Sequence, residues 1–251
     1  MIICKVSPSK SGISCPKLCT RPYFWRMQMK TFQGIELLPK SKKVDQLFIL
    51  LHGVGSSSAD LLPLANKIRL AFPNAAFMLP DGTFPFDGGG SGRQWFSISG
   101  ITEENRVSRL ADALAPLHAL IRDAQNRFKV MQPDTALLGF SQGAIMALEY
   151  SVLHDGSVGR ALAFSGRFAK LPEKAPELTT LHLLHGEDDP VIPAAHAIAA
   201  YERLMQLQGD ATLDIASSVG HEIHPALSDR AIYRLQTCIP LRSWEHALKS
   251  A

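Results

Sequence analysis

A chain of 251 residues with 46% hydrophobic side chains is long and apolar enough to bury one sizeable α/β core, and single domains of this length are routine. Its formal net charge of +3 is misleading: residues 1–30 hold six basic side chains and no acidic one, and the remaining 20 basic against 23 acidic leave residues 31–251 at −3. A mildly acidic body does not favour nucleic-acid binding, and no apolar run approaches the ~20 residues of a membrane-spanning helix.

The basic arm comes first in the chain. It carries Lys5, Lys10, Lys17, Arg21, Arg26 and Lys30, together with Cys4, Cys15 and Cys19, whereas only Cys238 belongs to the body. A disulfide-built body is therefore excluded, which fits a reducing compartment and leads to an expected cytoplasmic location. The arm lacks the continuous apolar stretch of roughly 7–15 residues found in a secretory signal. Pro8, Pro16 and Pro22 argue against an amphipathic helix, and the cysteine spacing matches no zinc site. The expectation is that residues 1–30 form a disordered or mis-assigned basic extension, with Met27 or Met29 a more natural start, and that residues 31–251 form a single domain.

Within the body, Leu47–Leu51 is a fully apolar predicted strand that breaks into His52-Gly53-Val54-Gly55. Such a break is a turn, a phosphate cradle or a source of backbone donors; neither GxGxxG nor GxxxxGK[ST] is present to support the phosphate. A helix is predicted over Ala59–Ala71 and a strand over Ala75–Leu79. The segment Asp81 to Phe96 follows, glycine-rich and ending in Arg93-Gln94-Trp95-Phe96, after a strand end where ligands bind in such sheets. Trp95 and Phe96 read equally as substrate-contacting residues or as core aromatics anchoring the loop. A long helix is predicted over Glu103–Val130, kinked or divided at Pro116.

The most informative stretch is Gly139-Phe140-Ser141-Gln142-Gly143, a GxSxG between the predicted strand Thr135–Leu138 and a helix over Ala144–Leu153. A serine at a sharp strand-to-helix turn is held in a strained conformation, and flanking glycines are needed because side chains there would strike the neighbouring strand and helix. A strand over Arg160–Phe164, a short segment from Ser165 to Thr179 and a strand over Thr180–Leu184 follow. The last runs into Gly186-Glu187-Asp188-Asp189-Pro190. Pro190 biases Asp189 towards an extended conformation and makes it the preferred acid, with Asp188 and Glu187 as competitors. After a helix over Ala194–Leu207 and a strand over Thr212–Ala216 comes Gly220-His221. His221 stands at the exit of a tight turn, and His224, before Pro225 and a helix over Pro225–Thr237, belongs to that helix entrance.

The alternation of strand and helix predicts a mostly parallel central sheet with helices on both faces. The order Ser, Asp, His supports one chemistry. A serine hydroxyl is a poor nucleophile at neutral pH, so an imidazole must take its proton and a carboxylate must hold the ring. The tetrahedral intermediate also needs backbone donors, here Gln142 after the nucleophile and Val54 in the earlier loop.

LLHGVG, RQWFSISGITEENR, GFSQGAIMALE, HGEDDPVIP and GHE together resemble the phospholipase/carboxylesterase branch of the α/β-hydrolase superfamily, which includes acyl-protein thioesterases. The resemblance runs from about Asp45 to Leu241 with every motif in order. It implies an α/β-hydrolase fold without a large cap domain, no cofactor or metal, and cleavage of a small-molecule carboxylic ester of short to medium acyl chain. By motif, Ser141, Asp189 and His221 are the catalytic residues, the Val54 and Gln142 amides the oxyanion hole, and the Arg93, Gln94, Trp95 and Phe96 region borders the acyl pocket. The chain departs from the HGxGD of many relatives at Ser56. An acyl thioesterase or lysophospholipase could use the same triad, and a catalytically inactive binding module could keep the fold. The short Ser165–Thr179 segment leaves no room for a helical cap, so the site should be open and show no interfacial activation. Oligomeric state, monomer or homodimer, stays open.

Overall fold

In a computed structural model, residues 33–41, 43–240 and 243 are described, with side chains except at Glu103. The chain divides into two units, residues 1–31 and 32–251, and all described residues belong to the second. The expected extension over residues 1–30 lies outside the described residues.

The second unit is built on a seven-stranded sheet in the order β1-β3-β2-β6-β7-β8-β9. Its strands are β1 (Gly34–Leu37), β2 (Leu47–Leu51), β3 (Ala76–Pro80), β6 (Thr135–Phe140), β7 (Arg160–Phe164), β8 (Thr180–Gly186) and β9 (Ala211–Ala216). All neighbours run parallel except β1, which pairs antiparallel with β3. A small hairpin, β4 (Phe84–Pro85) with β5 (Arg93–Gln94), stands apart. The helices are α1 (Leu62–Ala71), α2 (Glu103–Phe128), α3 (Gln142–Leu153), α4 (Ala195–Gln206) and α5 (Pro225–Thr237).

The strands are apolar on both sides because both faces of the sheet are covered. Leu47, Ile49 and Leu51 of β2 pack with residues of α2 and α3, while Phe48 and Leu50 pack with α1 and α5. α4 joins α3 over β7 and β8 through Leu148, Leu181, Ala200 and Leu204. Helices therefore lie on both faces, as the alternation predicts, and no helix lies between β7 and β8 among the described residues.

Three departures from the sequence expectation have physical reasons. β1 was not anticipated: four residues, none fully buried, carry no apolar run at this sheet edge. Residues Ser58–Leu61 are a 3-10 turn, because Pro63 at the start of α1 sets the α-helix one turn later. α2 is one continuous helix through Pro116, not two. Pro116 is exposed, so the carbonyl it deprives of a partner faces water. Leu110, Ala113, Leu114, Leu117 and Ile121 bury the opposite side and hold both halves to one core.

Candidate active site

The register places the C-terminal ends of β2, β6, β7 and β8 level: Leu51 pairs with Gly139, Phe140 with Phe164, and Phe164 with Leu184. The ladder continues one residue past the strands, with Ser141 N–H donating to Phe164 O (3.0 Å), Ser165 N–H to Leu184 O (2.9 Å) and Glu187 N–H to Ala216 O (2.9 Å). Four loops thus leave the sheet side by side, at the carboxyl ends where open α/β sheets bind ligands.

Ser141 joins β6 to α3 at φ 54° and ψ −114°. A side chain at Gly139 would strike the carbonyl oxygen of Gly143, and one at Gly143 would strike that of Leu51, so both flanking glycines are required by close backbone approach. The turn brings Ser141 Oγ to 3.0 Å from His221 Nε2. His221 Nδ1–H donates to Asp189 Oδ2 at 2.7 Å, which leaves Nε2 as the acceptor facing the hydroxyl.

Asp189 is buried, while Asp188 and Glu187 are exposed. Burial pushes the Asp189 carboxyl up, but the hydrogen bond from His221 and those from the Ile192 and Val191 amides outweigh it and hold the group below the usual carboxylate range. Gly186 lets the acid loop meet the histidine loop, since a side chain there would strike the carbonyl oxygens of Val219 and Gly220. The Asp188 amide ties the same two loops through Val219 O at 3.0 Å. His185, buried below, donates from Nε2 to Ile192 O at 2.7 Å and lies 3.2 Å from Asp189 Oδ2; burial lowers its pKa. His224 caps α5, its Nδ1 accepting from the Ala226 amide at 3.2 Å.

The loop after β2 turns through Gly55 at φ +75°. Among the described residues, the Val54 and Gln142 amides have no protein acceptor. His52 is buried beneath them; its Nε2 accepts from the Gly82 amide at 2.8 Å and its Nδ1–H faces Gly53 O at 2.7 Å. Burial lowers its pKa, so the neutral ring pins the Val54 loop to the Asp81–Phe96 segment. Asp60 braces the loop, accepting from Ser56 Oγ at 2.6 Å and the Ser57 amide at 3.0 Å.

The four residues at the end of the glycine-rich segment divide by role. Arg93 donates to the Gly82 and Thr83 carbonyls, both at 2.9 Å, and Gln94 donates to Asp87 Oδ1 at 2.6 Å, so these two fasten the segment to itself. Trp95 is buried with Nε1–H donating to His52 O at 2.8 Å. Of the four, only Phe96 lines the cavity at Ser141. The Gln142 side chain, which sequence reading passed over in favour of its amide, brackets this segment to the elbow. Its Oε1 accepts from Trp95 N–H and its Nε2 donates to Phe96 O, both at 2.8 Å.

The cavity measures about 420 Å³ and contains Ser141, Val54 and Gln142. Phe96, Ile98, Ile101, Ile145, Val191 and Ile192 form its apolar walls, and Arg106, Arg167 and His196 add polar ones. The described residues contain no cluster of three or more metal-ligating side chains, and no helix among them is long and apolar enough to cross a membrane.

A mostly parallel sheet, a strained serine at a GxSxG turn and a downstream acid and histidine on successive strand ends define the α/β-hydrolase class. The family described as Phospholipase/Carboxylesterase matches residues 33–239, and the chain belongs to it, a hydrolase of the carboxylesterase type. It is 43% identical over 208 residues to Esterase YpfH of Escherichia coli (strain K12), covering 82% of this chain and 89% of that protein. Acyl-protein thioesterase 1 of Kluyveromyces lactis is 26% identical over 180 residues, covering 64% and 76% of the two chains. Among solved structures, that of esterase PE8 superposes with a TM-score of 0.76 at 30% identity, over 83% of this chain and 99% of that one.

Proposed function

We propose that the chain cleaves carboxylic esters of short to medium acyl length through an acyl-enzyme intermediate. Ser141 is the nucleophile, His221 the general base and then acid, and Asp189 the carboxylate that orients the ring. The reading is carried by one observation: the unbroken relay Ser141 Oγ–His221 Nε2 (3.0 Å) and His221 Nδ1–Asp189 Oδ2 (2.7 Å) beside a cavity with two amide donors.

As Ser141 Oγ attacks the ester carbonyl, its proton passes to His221 Nε2, and the imidazolium is stabilised by ionised Asp189. The carbonyl oxygen becomes an oxyanion held by the Val54 and Gln142 amides. Collapse breaks the bond to the alcohol oxygen, which takes the proton from His221 and leaves. Water, deprotonated by the same imidazole, then attacks the acyl-serine and releases the carboxylic acid and free Ser141. The likeness to Esterase YpfH and esterase PE8 supports the ester, and the likeness to an acyl-protein thioesterase keeps a thioester as the second reading, since both use the same steps. Among the described residues no helix is inserted between β7 and β8, which supports an open site, so rate should rise smoothly with ester concentration. A sharp increase at the micelle concentration would refute an open site. Cysteine usage supports a cytoplasmic location.

The test is hydrolysis of p-nitrophenyl acetate, butyrate, octanoate and palmitate by wild type, Ser141→Ala, His221→Ala and Asp189→Asn. Losses of about three to six orders of magnitude in kcat are expected for each variant. A wild type no faster than Ser141→Ala, and not labelled by a fluorophosphonate, would instead mean a binding module on this fold.

A further inference from the structure

We propose that His185 is a positioning residue for the reaction: by sharing Asp189 Oδ2 with His221, it sets the pH above which His221 is free to take the Ser141 proton. This rests on the serine-hydrolase reading above and deepens it.

The reason is electrostatic. An imidazole held against a buried, ionised carboxylate keeps a proton more tightly than it does in water, and a protonated His221 cannot act as a base. The 2.7 Å bond that orients the ring therefore works against its chemistry unless other donors disperse the carboxylate charge. Asp189 has such donors at both oxygens. Oδ1 accepts from the Val191 and Ile192 amides at 2.8 and 2.9 Å. Oδ2, the oxygen that faces His221, has His185 Nε2 at 3.2 Å.

The protonation of His185 follows from the same geometry. His185 and Asp189 are both buried, and His185 Nε2 faces two oxygens that only accept, Ile192 O at 2.7 Å and Asp189 Oδ2 at 3.2 Å. A lone pair there would be repelled by both, so Nε2 carries the hydrogen, with the carbonyl as its nearer acceptor and the carboxylate as its second. The bond to Ile192 O also closes the turn whose amides hold Oδ1. One N–H thus serves both carboxylate oxygens, Oδ2 through its own dipole and Oδ1 through the turn. Burial, the largest influence on the His185 ring, disfavours its charged form, so it acts as a neutral donor and not as a second cation on Asp189. Among the described residues, the titratable groups acting on His185 are Asp189 and, across the seam between the two loops, His221. The other charges around the trio are Glu187, Asp188 and Glu222, all exposed, and Arg106, Arg167 and His196 in the cavity. Asp214, on the neighbouring strand β9, is paired with Arg230 and Arg234.

The experiment follows p-nitrophenyl butyrate hydrolysis from about pH 5 to 9 by wild type, His185→Leu and His185→Gln, with the histidine rings read in parallel by nitrogen-15 NMR. In wild type, His185 should show the Nε2–H tautomer. In His185→Leu, which offers no donor, the acid limb of kcat/KM should move up by about half to one pH unit, because a less dispersed Asp189 charge holds the His221 proton more tightly. The NMR titration of the His221 ring should move with it. In His185→Gln, whose amide can donate towards the same oxygens, the limb should stay with that of wild type. A merely structural role would let Asp189 drift from His221, lowering kcat at every pH and moving the limb down or not at all. That result, or a Nδ1–H tautomer for His185, would overturn the proposal while leaving the hydrolase reading intact. The tautomer is read on wild type, so a His185→Leu chain that fails to fold does not shield the proposal. A wild type with no turnover and no fluorophosphonate labelling of Ser141 would remove both.

Discussion

Ser141 is held at a backbone conformation that L-residues rarely adopt, and the glycines around the site are what make that position reachable. The same logic applies 45 residues on, at Gly186, where the acid loop presses its backbone against Val219 and Gly220 of the histidine loop. A methyl group there must push the two loops apart, and the Asp189–His221 hydrogen bond of 2.7 Å spans that seam. Gly186→Ala should therefore lower kcat/KM on p-nitrophenyl butyrate by about a hundredfold, the penalty typical of a displacement near 1 Å at catalytic groups. Thermal melting should shift down in the same variant. Unchanged kinetics would mean that the loops do not depend on this contact. That Ser141, Asp189 and His221 come together was legible in the sequence, because a GxSxG turn and the residues after later strands follow chain order along one sheet edge. The contacts of His52, His185 and the Gln142 side chain were not, because each acts on a partner 7 to 47 positions away that no spacing rule names.

At the scale of elements, the site is two halves fastened together. One half is the elbow with its acid and histidine loops; the other is the Val54 loop and the segment ending in β5 and Phe96. Gln142 is the bracket between them, filling the Trp95 N–H and the Phe96 carbonyl with one amide. In Gln142→Ala both buried backbone groups lose their partner while the Gln142 N–H itself remains. Stability should fall by about 2–4 kcal/mol, the range for stranded buried polar groups. Urea unfolding should show the midpoint drop at constant slope; a change within about 0.5 kcal/mol, as at an ordinary surface position, would show that the bracket is dispensable. Elements with apolar runs were readable in the sequence, and β7 and α5 were located to the residue. The edge strand β1 was not readable, because its half-exposed Gly34–Leu37 owes its shape to pairing with β3 instead of to any pattern of its own.

For the molecule as a whole, the consequence lies in its histidines. His52, His182 and His185 are buried and His154 half-buried, and burial lowers the pKa of all four, that of His182 to about 3. A histidine whose folded pKa lies below the unfolded value binds more protons when the chain is unfolded. Its contribution is complete above about pH 6.5 and is lost as pH falls from there towards the folded pKa. Each such group can remove up to about 1.4 kcal/mol per pH unit. The carboxylates lowered in the fold, among them Asp189 and Asp214, act in the same direction but only below their ordinary values, 3.8 for the aspartates and 4.5 for Glu173, while Glu149, raised from 4.5 by burial, opposes the four histidines. Between pH 6.5 and 4 the histidines therefore govern. Urea midpoints measured at pH 7.5, 6.5, 5.5 and 4.5 should fall least across the first interval and more steeply across the others. His182→Gln should flatten that fall, since His182 has Nδ1 at 2.9 Å from Thr212 Oγ1 and no partner for Nε2 among the described residues. A midpoint at pH 4.5 equal to that at pH 7.5 would show that these rings accept protons inside the fold. His52 and His185 pin the Val54 and Asp189 loops, so protonation in the folded chain would open the site first: activity would be lost at a higher pH than structure.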